Sequence, residues 1–338
     1  MHLKLPIFFI LIFRVFATFA QTTDGLLKPG TLQSFYSSVY AAELDIVEDS
    51  LSEAIINYRK ASRIKPLGFA DRMNLLTCFL TLDRMQESVG LIIQMAKDGY
   101  GMSFLNDKKY EQLINEENWI YFVHHEYQAP GISVYAKNIS GLATNFGSVY
   151  EQPTPKMLEI ILPLVSENIT KLIFENGYPG EPILGYGGNK RTEVLLYDML
   201  SKCMKSGYLK YDTLYNDQFL KGKMEPEMIV SLLGNNGNSS CGCEPQRGKI
   251  YLQIRNKLYS CTEKQEQMAN FNRAKYFMPT IADTKKMIEF SIHNESGFRL
   301  RAYASSLDYY YFPAEDKQVF DIDNYSDQLQ LIKIIDQN

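Results

Sequence analysis

The stretch SLSEAIINYRKASRIKP, residues 50–66, decides the fold class. Ser50 followed by Glu53 has the spacing of a capping box, in which the hydroxyl takes an orphan first-turn amide and the carboxylate returns to the cap. Leu51, Ala54, Ile55, Tyr58 and Ala61 then recur at three- and four-residue steps, so all five fall on one helical face. Working outward, the same period predicts four helices between Thr31 and Gly99. Phe35, Val39, Ala42 and Ile46 make the face of the helix upstream. Phe69, Met73, Leu76 and Phe79 line a third helix, and Val89, Ile92, Ile93 and Ala96 a fourth. Asp83 with Gln86 repeats the capping spacing, and Gly99 stands where a left-handed C-terminal cap is expected.

Ala54, Tyr58, Ala61 and Pro66, with Ala42 upstream, resemble a tetratricopeptide-like repeat. In that pattern small residues let paired helices approach, an aromatic fills the groove and proline ends the second helix. The second unit departs from it: Phe79 keeps the aromatic position, but Ser88, Ile92 and Met95 stand where alanine or an aromatic is preferred. An ordinary pair of helical hairpins shares these spacings and stays open as the alternative. Asn106 and Asn115 are expected to cap two further short helices, with Trp119, Ile120 and Val123 as a closing apolar edge. The array so read spans residues 31–127.

Residues 128–153 are rich in Gly, Ser and Asn and read as an irregular connection. A second α-rich domain comes next, over 154–312. Thr154-Pro155 opens a long buried helix carrying Met157, Ile160, Ile161, Leu164, Val165, Ile169, Leu172 and Ile173, which Pro163 should kink or split near Leu162. Asn189 is placed to cap a helix with Val194, Leu195, Leu200 and Cys203, and shorter helices are expected at 225–233, 263–276 and 281–292. Lys249 to Leu258 alternates through Ile250, Leu252 and Ile254 and reads as a strand. Residues 313–338 read as a C-terminal tail. The fold class is mainly α, with minor strand content.

The first twenty residues have the layout of a secretory signal peptide: Lys4, an apolar run from Leu5 to Phe16, then Thr18-Phe19-Ala20 before Gln21. Small residues at Thr18 and Ala20 place cleavage after Ala20, and the pattern resembles signal peptides of exported Gram-negative proteins. Arg14 interrupts a run already shorter than the ~20 residues of a spanning helix. The expected location is therefore periplasmic or extracellular, with no transmembrane anchor after cleavage. Composition agrees with a globular chain, at 45% apolar and 22% charged residues. A formal charge of −4 lacks the cationic surplus that duplex nucleic acid demands.

Of five cysteines, Cys78 and Cys203 lie in apolar helical patterns. Cys241, Cys243 and Cys261 are the group of interest: a disulfide between Cys261 and one of the pair is expected after export, with a metal site or free thiols as alternatives. Adjacent His124 and His125 point about 100° apart on a helix and do not make a metal pair without a second segment. His293 is isolated near a helix end. Gly185 to Thr192 precedes a helix but lacks P-loop order, so capping by Asn189 explains it. Asn138, Asn168, Asn238, Asn294 and Asn324 begin glycosylation sequons, and Tyr309-Tyr310-Tyr311-Phe312 reads as an aromatic strand edge.

Asn176-Gly177-Tyr178-Pro179-Gly180 reads as a structural turn. With its flanking helices it resembles a family of exported bacterial domains of unknown function, in which a Gly-Trp-Pro-Gly-like turn separates two helices. Tyr178 takes the tryptophan position, and Leu196-Tyr197-Asp198-Met199 lacks the histidine expected in the next helix. A later Tyr-Gly-Thr-like string is also missing, and the resemblance implies no established activity.

No catalytic, cofactor or metal residue is assigned from sequence. The expected function is an exported interaction or scaffold protein, its partner another envelope or secreted protein or peptide docked on the concave face of the array. The rival class is an envelope hydrolase whose site assembles from distant carboxylates and histidines.

Overall fold

The computed structural model describes residues 29–127, 134–150, 155–179, 196, 199–204, 206–207, 213–234, 251–254, 257–293, 296–301, 307–310 and 329–334. The fold is mainly α. Helices α1 (Pro29–Val47) and α2 (Leu51–Ser62) form one hairpin, and α3 (Phe69–Thr81) and α4 (Met85–Lys97) a second. Every apolar residue that set the faces of α1, α2 and α3 is buried, as are Val89, Ile92 and Ala96 of α4.

The turns inside these hairpins are built differently from the capping boxes expected. Ser50 starts α2 but makes no side-chain cap bond. Its amide is already bonded to Asp45 O at 2.7 Å, because Asp49 (φ 57) closes α1 in a left-handed cap. Asp83 (φ 54) closes α3 in the same way, with Arg84 N donating to Phe79 O at 2.8 Å, so Arg84 and not Asp83 is the N-cap of α4. Gly99 (φ 87) ends α4 as expected, with Tyr100 N on Met95 O at 3.1 Å.

Two 3₁₀ turns (Ser103–Asn106 and Lys108–Tyr110), α5 (Glu111–Ile114) and α6 (Glu117–His125) come next. Asn106 and Asn115 end elements instead of starting them; Asp107 and Glu116 hold the N-cap positions. Trp119 and Phe122 bury the inner side of α6, whereas Ile120 and Val123 face solvent, which shifts the expected edge by part of a turn.

Residues 134–150, expected to be irregular, form helix α7 (Val134–Tyr150). Ile139, Ala143 and Phe146 are its buried stripe, at helical spacing that the intervening Gly and Ser residues obscured. Helix α8 (Pro155–Asn176) runs through Pro163 without splitting. It is buried on one side only: Leu162, Val165, Ile169 and Ile173 pack inward, while Met157, Ile160, Leu164 and Phe174 are exposed. Residues 196 and 199–204 are helical, and the proposed cap Asn189 lies outside the described residues. Then come α9 (Thr213–Leu220), α10 (Pro226–Gly234), α11 (Glu263–Lys275) and α12 (Ile281–His293).

The expected strand appears as two, β1 (Tyr251–Ile254) and β2 (Lys257–Cys261), antiparallel with Ile254 opposite Lys257. Strand β3 (Leu307–Tyr310) joins β1 in parallel, so the aromatic string begins on an edge strand. The expected tail contains β4 (Leu329–Ile334), antiparallel to β2, in a sheet ordered β3-β1-β2-β4. Leu329, Leu331, Ile332 and Ile334 give it the β-forming content that a free tail would not carry.

One apolar core joins the array to the later helices: Leu32, Phe35, Val39 and Tyr58 share a cluster with Ile169, Met199, Phe219, Met287 and Leu300. Tyr36 stacks on Phe277, which stacks on Phe219. A second cluster fills α3 to α6, from Phe69 to Phe122.

Candidate functional site

Helices α1 and α3 place three polar side chains on faces that should be apolar. Glu43 lies four residues after Val39 and three before Ile46, on the buried stripe of α1. Asp71 and Asn74 are three apart on α3, and Asn74 precedes buried Cys78 by four. All three are fully buried. Polar groups at such positions are costly unless partnered, and their partners come from residues 299–301, far along the chain.

Asn74 holds Arg299 by its backbone at both ends. Its Oδ1 accepts from Arg299 N at 2.7 Å, and its Nδ2 donates to Arg299 O at 3.1 Å and to the Tyr58 hydroxyl at 3.1 Å. The Arg299 side chain plays no part in this pair, and the residue is exposed. Two residues on, Arg301 N donates to Glu43 Oε1 at 3.0 Å. The Arg301 guanidinium forks onto Asp71, Nε to Oδ1 at 3.0 Å and Nη2 to Oδ2 at 2.5 Å, and its Nη1 reaches Glu225 Oε2 at 2.5 Å. Between these anchors Phe298 and Leu300 turn into the shared core. At the start of the segment Gly297 adopts φ +84, and a Cβ there would also stand 3.4 Å from Lys109 Nζ. An otherwise irregular strip, 297–301, thus crosses the array from the 3₁₀ turns past α3 to α1.

The pocket that takes Arg301 is walled by aromatic hydroxyls and acids. Tyr36 donates to Glu225 Oε2 at 3.2 Å and Tyr40 to Glu227 Oε1 at 2.7 Å. Lys65 Nζ lies 3.6 Å from Glu225 Oε1 and over the Phe35 ring at 4.9 Å. Burial pushes the Glu43 carboxyl up to about 8, the Arg301 charge opposing and Asp71 adding to the rise. Burial acts upward on Glu225 too, but Lys65 and Arg301 outweigh it and hold that group at about 2. Burial thus favours the neutral form of Glu43, and its second oxygen, Oε2, has no hydrogen-bond partner among the described residues.

The residues singled out by sequence lie elsewhere. His124 and His125 are exposed on α6, His125 stacked on Tyr121 with Nδ1 2.9 Å from Tyr121 O. Glu126 pairs with Lys97 at 2.9 Å. His293 is the last residue of α12. Among the described residues no group of three or more His, Cys, Asp and Glu is arranged to hold a metal ion. Cys261 is buried and disulfide-bonded, its partner outside the described residues, while Cys78 and Cys203 are free thiols. The Gly177-Tyr178-Pro179 turn is structural: Gly177 has φ +79, Tyr135 donates to its carbonyl, and Tyr178 N donates to Gln218 Oε1 at 3.0 Å. Gly185 to Thr192, Cys241 and Cys243, and Tyr311-Phe312 lie outside the described residues.

Sequence reading passed over Glu43, Asp71 and Asn74. Their signal was available as polar residues interrupting otherwise apolar stripes, but their partners were not. No protein-family model matches the chain, and no significant similarity to a curated protein or a solved structure was found. No described helix is long and apolar enough to cross a membrane.

Proposed function

We propose that the chain is an exported interaction or scaffold protein, and that the face of its tetratricopeptide-like array formed by α1 and α3 is the surface that receives a partner peptide. The observation that carries this reading is the Asn74 clamp. An amide that bonds both N–H and C=O of one residue in an irregular strip captures backbone irrespective of side chain, which is how a peptide groove gains general affinity. Buried Asp71 and the half-exposed Glu225 beside it then supply side-chain selection.

The test is capture from envelope extract with the whole mature chain, run in parallel with Asn74→Ala and an exposed control, Ile56→Ala. A protein retained by the wild type and the control but lost with Asn74→Ala supports the reading. Identical retention by all three chains, or turnover of a hydrolase substrate panel that disappears on replacing His124 or His125, contradicts it. N-terminal sequencing of the natural protein should begin at Gln21; retention of Met1 contradicts export.

A further inference from the structure

Three features make residues 297–301 look like a bound ligand as well as a piece of the fold. They carry no helix or strand up to Arg301, they are held by backbone at Arg299, and they bury one charged side chain among acidic groups. We infer that the groove between α1 and α3 is a receptor for an extended arginine-bearing peptide of another protein, with residues 297–301 of this chain as its resident stand-in. The inference rests on the interaction reading above and adds to it the chemistry of the partner.

The pocket selects arginine over lysine on geometry. Asp71 accepts two parallel N–H bonds from Arg301, and Glu225 takes a third from the other guanidinium nitrogen. A lysine ammonium has no planar fork to match that arrangement. The Tyr36 ring lies 5.9 Å from the guanidinium carbon, at the outer reach of a cation–π contact. Among the described residues the resident segment leaves Glu43 Oε2 buried without a hydrogen-bond partner. A partner that offers one more polar group there satisfies the groove better than the stand-in does. A tethered segment competes at high effective concentration, so a groove filled by its own chain presents only a fraction of its intrinsic affinity to a peptide in solution.

The test uses the capped, fluorescently labelled peptide Ser-Gly-Phe-Arg-Leu-Arg, matching residues 296–301, titrated by anisotropy against the whole mature chain. Arg301→Ala empties the acid pocket and removes one anchor of the resident strip, so the peptide should displace it and bind about tenfold or more tightly than to the wild type. Arg301→Lys, which keeps the charge and loses the fork, should fall between. Replacing the last arginine of the peptide by lysine should weaken binding to the opened groove about tenfold, and Asp71→Asn should abolish it. Should Arg301→Ala prove too unstable to titrate, the same peptide added in trans must restore its melting temperature, and the lysine version must not. Equal affinity for the wild type and both Arg301 variants overturns the inference, as does binding indifferent to Asp71→Asn. Dimers of the wild type dissolved by the peptide would mean that copies exchange the segment, and would overturn the partner-peptide reading. Asn74-dependent capture from envelope extract without any binding of arginine peptides leaves the interaction reading standing and removes this one.

Discussion

At the scale of single residues, Arg301 and Asp71 carry the most consequence. Asp71 has no solvent exposure, and Arg301 supplies both of its guanidinium bonds. Removing one member of a buried pair leaves the other charged and unpartnered, which costs about 3–5 kcal/mol. Arg301→Ala should therefore lose about that much in urea unfolding, and Arg301→Ala combined with Asp71→Asn should lose less than the two single changes summed. Strict additivity would show that the two do not act as a pair. Glu43 makes the opposite prediction with pH. Its folded value of about 8 lies above its ordinary 4.5, so between these values the unfolded chain releases a proton that the folded chain keeps. Stability is fully present below 4.5 and falls as pH rises toward 8. Glu225 works at the other end: held near 2, it adds stability above 4.5 that is lost as pH falls toward 2. Glu43→Gln should flatten the decline between pH 5 and 8, seen as a smaller drop in melting temperature than in the wild type. An unchanged drop would place the proton elsewhere.

At the scale of elements, the array is joined by helix ends in which a left-handed residue closes one helix and the next helix starts almost at once. Asp49 and Asp83 hold positive φ at a steric cost that glycine avoids. Asp83→Gly should raise stability by about 0.5–1 kcal/mol, measured by denaturant unfolding; a loss would mean that the Asp83 carboxylate has a role in the turn beyond its backbone. The same turns show what sequence could tell. The apolar periods of α1 to α4 were legible because each face repeats within a few residues. The capping boxes misled because Ser50 and Asp83 have the right neighbours downstream but are already engaged by the helix upstream. Helix α7 escaped notice because Gly141 and Ser148 break up the run of apolar residues around Ile139, Ala143 and Phe146, the stripe whose burial is described. Strand β4 escaped because its pairing partner, β2, lies some 70 residues away.

At the scale of the molecule, the groove was illegible for a similar reason: Asn74 and Arg299 are separated by 225 positions, and nothing near either one announces the other. Polar residues on the buried stripes of α1 and α3 could have flagged a demand for partners without naming them. The shared core that brings them together has a measurable consequence. Trp119, the single tryptophan, reports on the cluster between α3 and α6, whereas helical ellipticity reports on the whole chain. Because α3 contributes both to that cluster and to the core shared with the later helices, the two signals should lose amplitude at the same urea concentration. Separate midpoints would mean that the array unfolds independently of the residues that fill its groove. The docking of 297–301 on α1 and α3 is tested most directly by amide hydrogen exchange at Arg299. Its N–H is bonded to a fully buried asparagine although the residue itself is exposed, so it should exchange far more slowly than an unstructured amide. In Asn74→Ala that protection should vanish while the amides within α2 keep theirs. Exchange of the Arg299 amide in the wild-type chain at the rate of an unstructured peptide would contradict a groove occupied by its own segment.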